Sequence, residues 1–131
     1  MDFCSLQFPS STSTAAGVAT ENVYGRVFED TITQPAGAHA SVTAQLGYGP
    51  PTANPEYEPD WTWIPATFNV QIGNDDEYRA SITAPAPGEY RYTYRFSRDG
   101  RSWTYCDADG AGANIGLTFS VGKLGVLTVT P

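Results

Sequence analysis

The run Tyr90-Arg-Tyr-Thr-Tyr-Arg-Phe-Ser97 constrains the fold more than any other stretch of the chain. Its four aromatics alternate strictly with Arg, Thr, Arg and Ser. A period of two gathers all four rings on one side of a β-strand but scatters them around a helix. A strand with such a face needs a second layer to cover it. Asp99-Gly100 follows, a strong hairpin signal. With these two residues as the loop, Phe96 faces Trp103 and Tyr94 faces Tyr105. That register puts Trp103 and Tyr105 on the aromatic, core-facing side and Cys106 on the polar side, opposite Thr93. Arg91, Arg95, Arg98 and Arg101 crowd this hairpin and are expected to pair with nearby acids.

Other segments alternate in the same way. They are Val23–Phe28, Ala40–Gly47, Trp61–Val70, Glu77–Thr83, Leu117–Val121 and Gly125–Thr130. No segment shows ten residues of helical period with a cap. Thirteen Gly and ten Pro supply the turns between strands. Seven to eight short strands in a chain of 131 residues make one all-β domain, an antiparallel β-sandwich of immunoglobulin or fibronectin-III type. Residues 1–20, rich in Ser, Thr and Ala, read as an extended N-terminal arm, and residues 21–131 as the sandwich.

The charge balance narrows the partners. Seven Lys plus Arg against 14 Asp plus Glu give a net charge of −7. Nucleic-acid binding and docking on an anionic bilayer both need a cationic footprint, so neither is expected. No apolar run is long enough to span a membrane. The N-terminus Met-Asp-Phe-Cys-Ser-Leu lacks the basic and apolar regions of a signal peptide. The expectation is a mature module of a longer exported protein, located outside the cell, on its surface or in the periplasm.

Cys4 and Cys106 fit no zinc spacing. Two free thiols is the bland reading. An exported chain favours a disulfide instead. If consecutive strands alternate in direction, the loop after Cys106 falls at the same end as the arm carrying Cys4.

Catalytic signals are sparse. His39, the one histidine, lies in an Ala- and Gly-rich loop with no evident nucleophile beside it. Glu56, Glu58 and Asp60 form an acidic loop, which reads as solvated charge more readily than as an acid pair for glycoside cleavage. The chain is therefore expected not to be an enzyme and to need no cofactor, calcium being the one candidate. Asp107-Ala-Asp109-Gly opens like a calcium loop, but Ala111 and Thr118 stand where an EF-hand needs ligands. A looser site at Asp107 and Asp109 remains open, as does one in Asn74-Asp-Asp-Glu77. The bland account of both is a turn in which Asp or Asn caps backbone N–H groups.

Trp61 and Trp63 carry the main functional expectation. The apolar residues of their strand are Ile64, Ala66, Phe68 and Val70. Both indoles therefore point the other way, with Thr67 and Asn69, toward solvent. Exposed aromatic strips mark binding surfaces. Sugar C–H faces stack on indole while neighbouring polar groups bond hydroxyls. Tyr48 and Tyr57 would extend the strip. The alternative is that the N-terminal arm covers the tryptophans, leaving a structural or protein-interaction domain, a spacer or adhesin unit.

The stretch Gly88–Asp107, with its aromatic strand, Asp99-Gly100 turn and Trp103, resembles a hairpin of immunoglobulin-like starch- and glycogen-binding modules. The pieces Val23–Phe28, Ala44–Pro50, Trp61-Thr-Trp63 and Asn74–Tyr78 are similar to accessory β-sandwich modules of secreted bacterial proteins. The resemblance implies a non-catalytic module with a polysaccharide or other glycan as partner.

Overall fold

The computed structural model describes residues 1–112 and 119–131. Among them are ten strands: β1 (Phe3–Phe8), β2 (Ser11–Ala15), β3 (Val23–Phe28), β4 (Thr43–Gly49), β5 (Thr62–Pro65), β6 (Thr67–Ile72), β7 (Asp75–Ala80), β8 (Gly88–Ser97), β9 (Thr104–Tyr105) and β10 (Gly125–Thr130). One sheet has the order β1-β3-β7-β6 and the other β2-β10-β8-β4-β5, with β9 also on β8. These orders follow the two sheets of an immunoglobulin-type sandwich. All strand pairs are antiparallel except β2 with β10, which is parallel.

The aromatic face of β8 is the core. Tyr92, Tyr94 and Phe96 are fully buried. Tyr94 stacks on Phe96 at 5.8 Å, and Phe96 meets Tyr78 of the facing sheet edge-on at 5.6 Å. The Tyr94 hydroxyl donates to the Val23 carbonyl at 2.6 Å, and the Tyr92 hydroxyl donates to the Pro9 carbonyl. Two rings lie against bare backbone: a Cβ at Gly25 would sit 2.4 Å from the Tyr94 ring, and one at Gly125 2.3 Å from that of Tyr92.

Cys4 and Cys106 form a disulfide, with Cα atoms 5.4 Å apart. It joins β1 of one sheet to the residue following β9 in the other. Both residues are buried, so Cys106 lies on the inward face and not on the polar one. The backbone ties the same place: Cys4 and Ala111 exchange two N–H···O bonds of 2.8 and 2.9 Å.

Several expectations change. Within residues 1–20, expected as an extended arm, β1 joins one sheet and β2 the other. The span Trp61–Val70 is two strands in different sheets. Pro65, which has no N–H to give, ends β5, and Ala66 N–H donates to the Ala44 carbonyl where the chain crosses. Thr67 and Asn69 therefore do not share a face with the tryptophans. A bulge between Phe68 and Val70 then turns Val70 outward, leaving it 44% exposed. Leu117 and Thr118 lie outside the described residues, and Val121–Lys123 is a 3-10 turn, not strand.

The hairpin register is one residue off the expected one. Arg95 pairs with Tyr105 and Phe96 with Thr104. Ser97 Oγ accepts the N–H groups of Asp99 and Gly100, and Asp99 Oδ1 accepts those of Arg101 and Ser102. The turn is thus a wider loop, and a one-residue slip moves every side chain to the other face. Trp103 and Tyr105 consequently leave the core for the outer face. The hairpin arginines also find fewer acids than expected. Arg98 meets Glu29 at 3.5 Å, while Arg91 donates to the carbonyls of Leu124 and Gly125.

Replacing both Cys4 and Cys106 with Ala should cost about 2–5 kcal/mol in denaturant unfolding. The loop cap should be pH-dependent. Its backbone bonds, from Ser102 and then Arg101, hold the Asp99 carboxyl down at about 2. A depressed folded-state value means that the stabilisation is complete above the ordinary carboxylate range and lost as pH falls through about 2. The Tm gap between wild type and Asp99→Ala should therefore be constant above that range and shrink below it.

Candidate functional site

The outer face of the β5-β4-β8-β9 region carries a layer of planar side chains. Gly47 pairs with Trp63 across β4 and β5. A Cβ at Gly47 would lie 2.3 Å from the Trp63 ring, and one at Gly49 2.4 Å from that of Trp61. The Gly47-Tyr48-Gly49 segment is thus a shelf on which both indoles lie flat, stacked on each other at 5.7 Å with 29° between planes. The Arg95 guanidinium sits 4.0 Å from the Trp63 ring centroid and 4.0 Å from that of Trp103. A cation over an indole face is favourable, and this one bridges two. Its Nε donates to Gln45 Oε1 at 2.8 Å and its Nη1 to the Tyr105 hydroxyl at 3.2 Å. Tyr105 meets Trp63 edge-on at 5.8 Å.

The loop 50–60 folds over one end of this layer. Asn54 organises it: its side chain accepts the Glu56 N–H, its carbonyl accepts those of Tyr57 and Glu58, and its own N–H donates to Glu58 Oε1. The Trp61 indole N–H donates to the Ala53 carbonyl at 3.1 Å, fastening loop to sheet. Between loop and sheet lies a cleft of about 500 Å³ lined by Glu56, Tyr57, Glu58, Trp63, Arg95 and Tyr105, with Trp61 and two prolines. Desolvation pushes the Glu56 carboxyl above its ordinary value.

The four expected aromatics fare differently. Trp63 is half-buried and faces the cleft; Tyr57, on the loop, is 82% exposed. Trp61 is only 6% exposed, covered by the loop that contains Ala53 and by Leu124, not by the N-terminal residues. Tyr48 does not extend the strip. It shares the inward face of β4 with Leu46, packs against the core and meets Tyr90 at 6.2 Å. Arg95, Tyr105 and Trp103 were not expected here. The alternation Gly47-Tyr48-Gly49 opposite Trp61-Thr62-Trp63 was the signal for the shelf, and the hairpin slip brought in Tyr105.

The other candidates have local partners. Asp107 is 1% exposed; its Oδ1 accepts the N–H groups of Asp109 and Gly110, and its Oδ2 that of Ser120. Asp109 pairs with Lys123. No group of three or more His, Cys, Asp or Glu suited to a metal occurs among the described residues. His39 is exposed, and its Nδ1 contacts Ser41 Oγ at 2.8 Å. Ser41 N–H also donates to His39 Nδ1 at 3.1 Å, and Ser41 Oγ accepts from Arg98 Nε at 2.7 Å, so the three residues form a polar turn.

Gly47→Ala should force Trp63 off its shelf, at a cost of about 1–3 kcal/mol. Iodide quenching of tryptophan fluorescence should increase; unchanged quenching in a folded variant would contradict the shelf.

No protein-family model matches the chain. It is 33% identical over 100 residues to a segment of the amylopullulanase of Thermoanaerobacterium thermosulfurigenes, covering 64% of this chain and 5% of that protein. It is 32% identical over 99 residues to the amylopullulanase of Thermoanaerobacter thermohydrosulfuricus, covering 63% and 7%. For that of Thermoanaerobacterium saccharolyticum the figures are 33% over 103 residues, 67% and 8%. The chain thus spans less than a tenth of the curated relatives it matches. A cyclomaltodextrinase shares the fold at a TM-score of 0.52 and 12% identity, over 93% of this chain and 18% of that one. The chain is homologous to a short segment of amylopullulanases and folds as an all-β sandwich.

Proposed function

We propose that this chain is a non-catalytic, extracellular or cell-surface accessory module that binds carbohydrate in the cleft between loop 50–60 and the outer sheet face. The observation that carries the reading is the pairing of apolar and polar groups there. Trp63 and Tyr57 offer ring faces to sugar C–H surfaces. Glu56 and Glu58 offer hydroxyl acceptors, and Arg95 and Tyr105 offer donors. Carbohydrate sites combine these two kinds of surface. Homology to a short segment of amylopullulanases favours an α-glucan as ligand and a larger enzyme as the natural context. The burial of Trp61 favours a second reading, a structural spacer with the same shelf serving only to fix the loop.

Affinity electrophoresis in gels containing pullulan or amylopectin separates the two. Wild type should be retarded. Tyr57→Ala, at an exposed loop position, should bind about tenfold more weakly, the equivalent of about 1.4 kcal/mol. Trp63→Ala should bind more weakly still. A folded wild type that no glucan retards would leave the spacer.

A further inference from the structure

The acidic run Asn74-Asp75-Asp76-Glu77 lies on the other sheet, away from the cleft, and its three acids have three different environments. Asp75 pairs with Arg26 at 2.7 Å. Glu77 accepts from Asn69 Nδ2 at 3.1 Å. Asp76 is fully buried, on the inward face of β7, and neither of its carboxylate oxygens has a partner.

Directly across β6 stands Gln71, the register partner of Asp76. Its Nε2 donates to the Thr33 carbonyl at 2.6 Å and the Gly73 carbonyl at 2.9 Å. These bonds fix the amide, since a flip would turn its oxygen onto two carbonyls. Gln71 Oε1 is therefore held as an acceptor, and it too is buried and unpartnered. Two residues further along the same face of β7, Tyr78 is 4% exposed and its hydroxyl has no partner.

Five buried side-chain polar atoms lack a partner among the described residues, and four belong to these three residues; the fifth is Gln7 Oε1. Folded proteins leave few such atoms, because each gives up its bonds to water without replacement. A cluster that is all oxygen, carries one negative charge and has only the Tyr78 hydroxyl as a donor is matched by a positive guest. One water supplies two donors, whereas an oxygen-seeking cation can serve every member at once.

We propose that Asp76, Gln71 and Tyr78 hold a hard cation of the calcium class between the sheets, beneath the segment that carries Thr33. Thr33 is itself buried, and its hydroxyl donates to the Asn74 carbonyl at 2.7 Å, closing this end of the sandwich. A single carboxylate makes the site weak, in the range of about 10⁻⁴–10⁻³ M typical of extracellular calcium modules. The site does not depend on the carbohydrate reading.

The test is titration of the chelator-treated 131-residue chain with CaCl₂. Tm should rise and saturate at millimolar Ca²⁺. Terbium luminescence excited through tyrosine should appear and be displaced by Ca²⁺. Asp76→Asn should abolish both signals, and Tyr78→Phe should weaken them. Asp109→Ala, in the first calcium-like loop, should change neither. Persistence of the signals in Asp76→Asn would overturn the site, as would their absence in wild type, a measurement that needs no variant to fold. Without a Ca²⁺ effect, a stability that falls as pH rises through about 6 would place a proton on Asp76 instead and likewise overturn the cation.

Discussion

The structure depends on the contact of aromatic rings with bare backbone. Tyr94 lies against Gly25 of the facing sheet, and Tyr92 against Gly125 of the neighbouring strand. Large rings fill a sandwich interior only where the opposing surface recedes, and glycine supplies that recess at positions where any side chain would collide. The buried hydroxyls then need acceptors, and both find backbone carbonyls. The rings thus set the spacing of the sheets and also hold Val23 and Pro9 in place.

The same device recurs on the outer face. Gly47 and Gly49 let Trp61 and Trp63 lie flat, and the indoles in turn carry Arg95 and the loop 50–60. Interior and cleft are therefore two sides of one sheet, built by glycine and aromatic residues at alternate positions of paired strands. Leu46 and Tyr48 face inward while Gly47 between them faces out. The disulfide belongs to this arrangement. Cys106 follows Tyr105 directly, so the bond that joins the sheets also fixes the strand that brings a cleft residue to Trp63.

Charge plays a different part. The net charge is −7, and while Arg26, Arg98 and Lys123 pair with acids, two other arginines fix geometry instead. Arg95 is a spacer between two indoles, and Arg91 binds carbonyls that precede and open β10. Both have planar guanidinium groups suited to these roles; a lysine ammonium would supply neither the flat face nor the fork.

Much of the fold was legible in the chain because side-chain alternation is a local property. It located β3 and β10 to the residue and marked the inward face of β8. The disulfide was also legible, because strand parity placed both cysteines at one end. What sequence did not decide were non-local choices. The break at Pro65 sends one alternating run into two sheets. A cap by Ser97 and Asp99 slips the hairpin by one residue, exchanging Trp103 and Tyr105 from core to surface. Trp61 and Trp63 look equivalent in sequence, but the Ala53 carbonyl captures only one of them. The sequence by itself determined an all-β sandwich, its aromatic core strand and the segment bearing the cleft. Only tertiary structure decided which aromatics reach solvent and which acid is stranded in the interior. Period and composition are read along one strand, whereas exposure depends on the register and cover that neighbouring strands and loops impose.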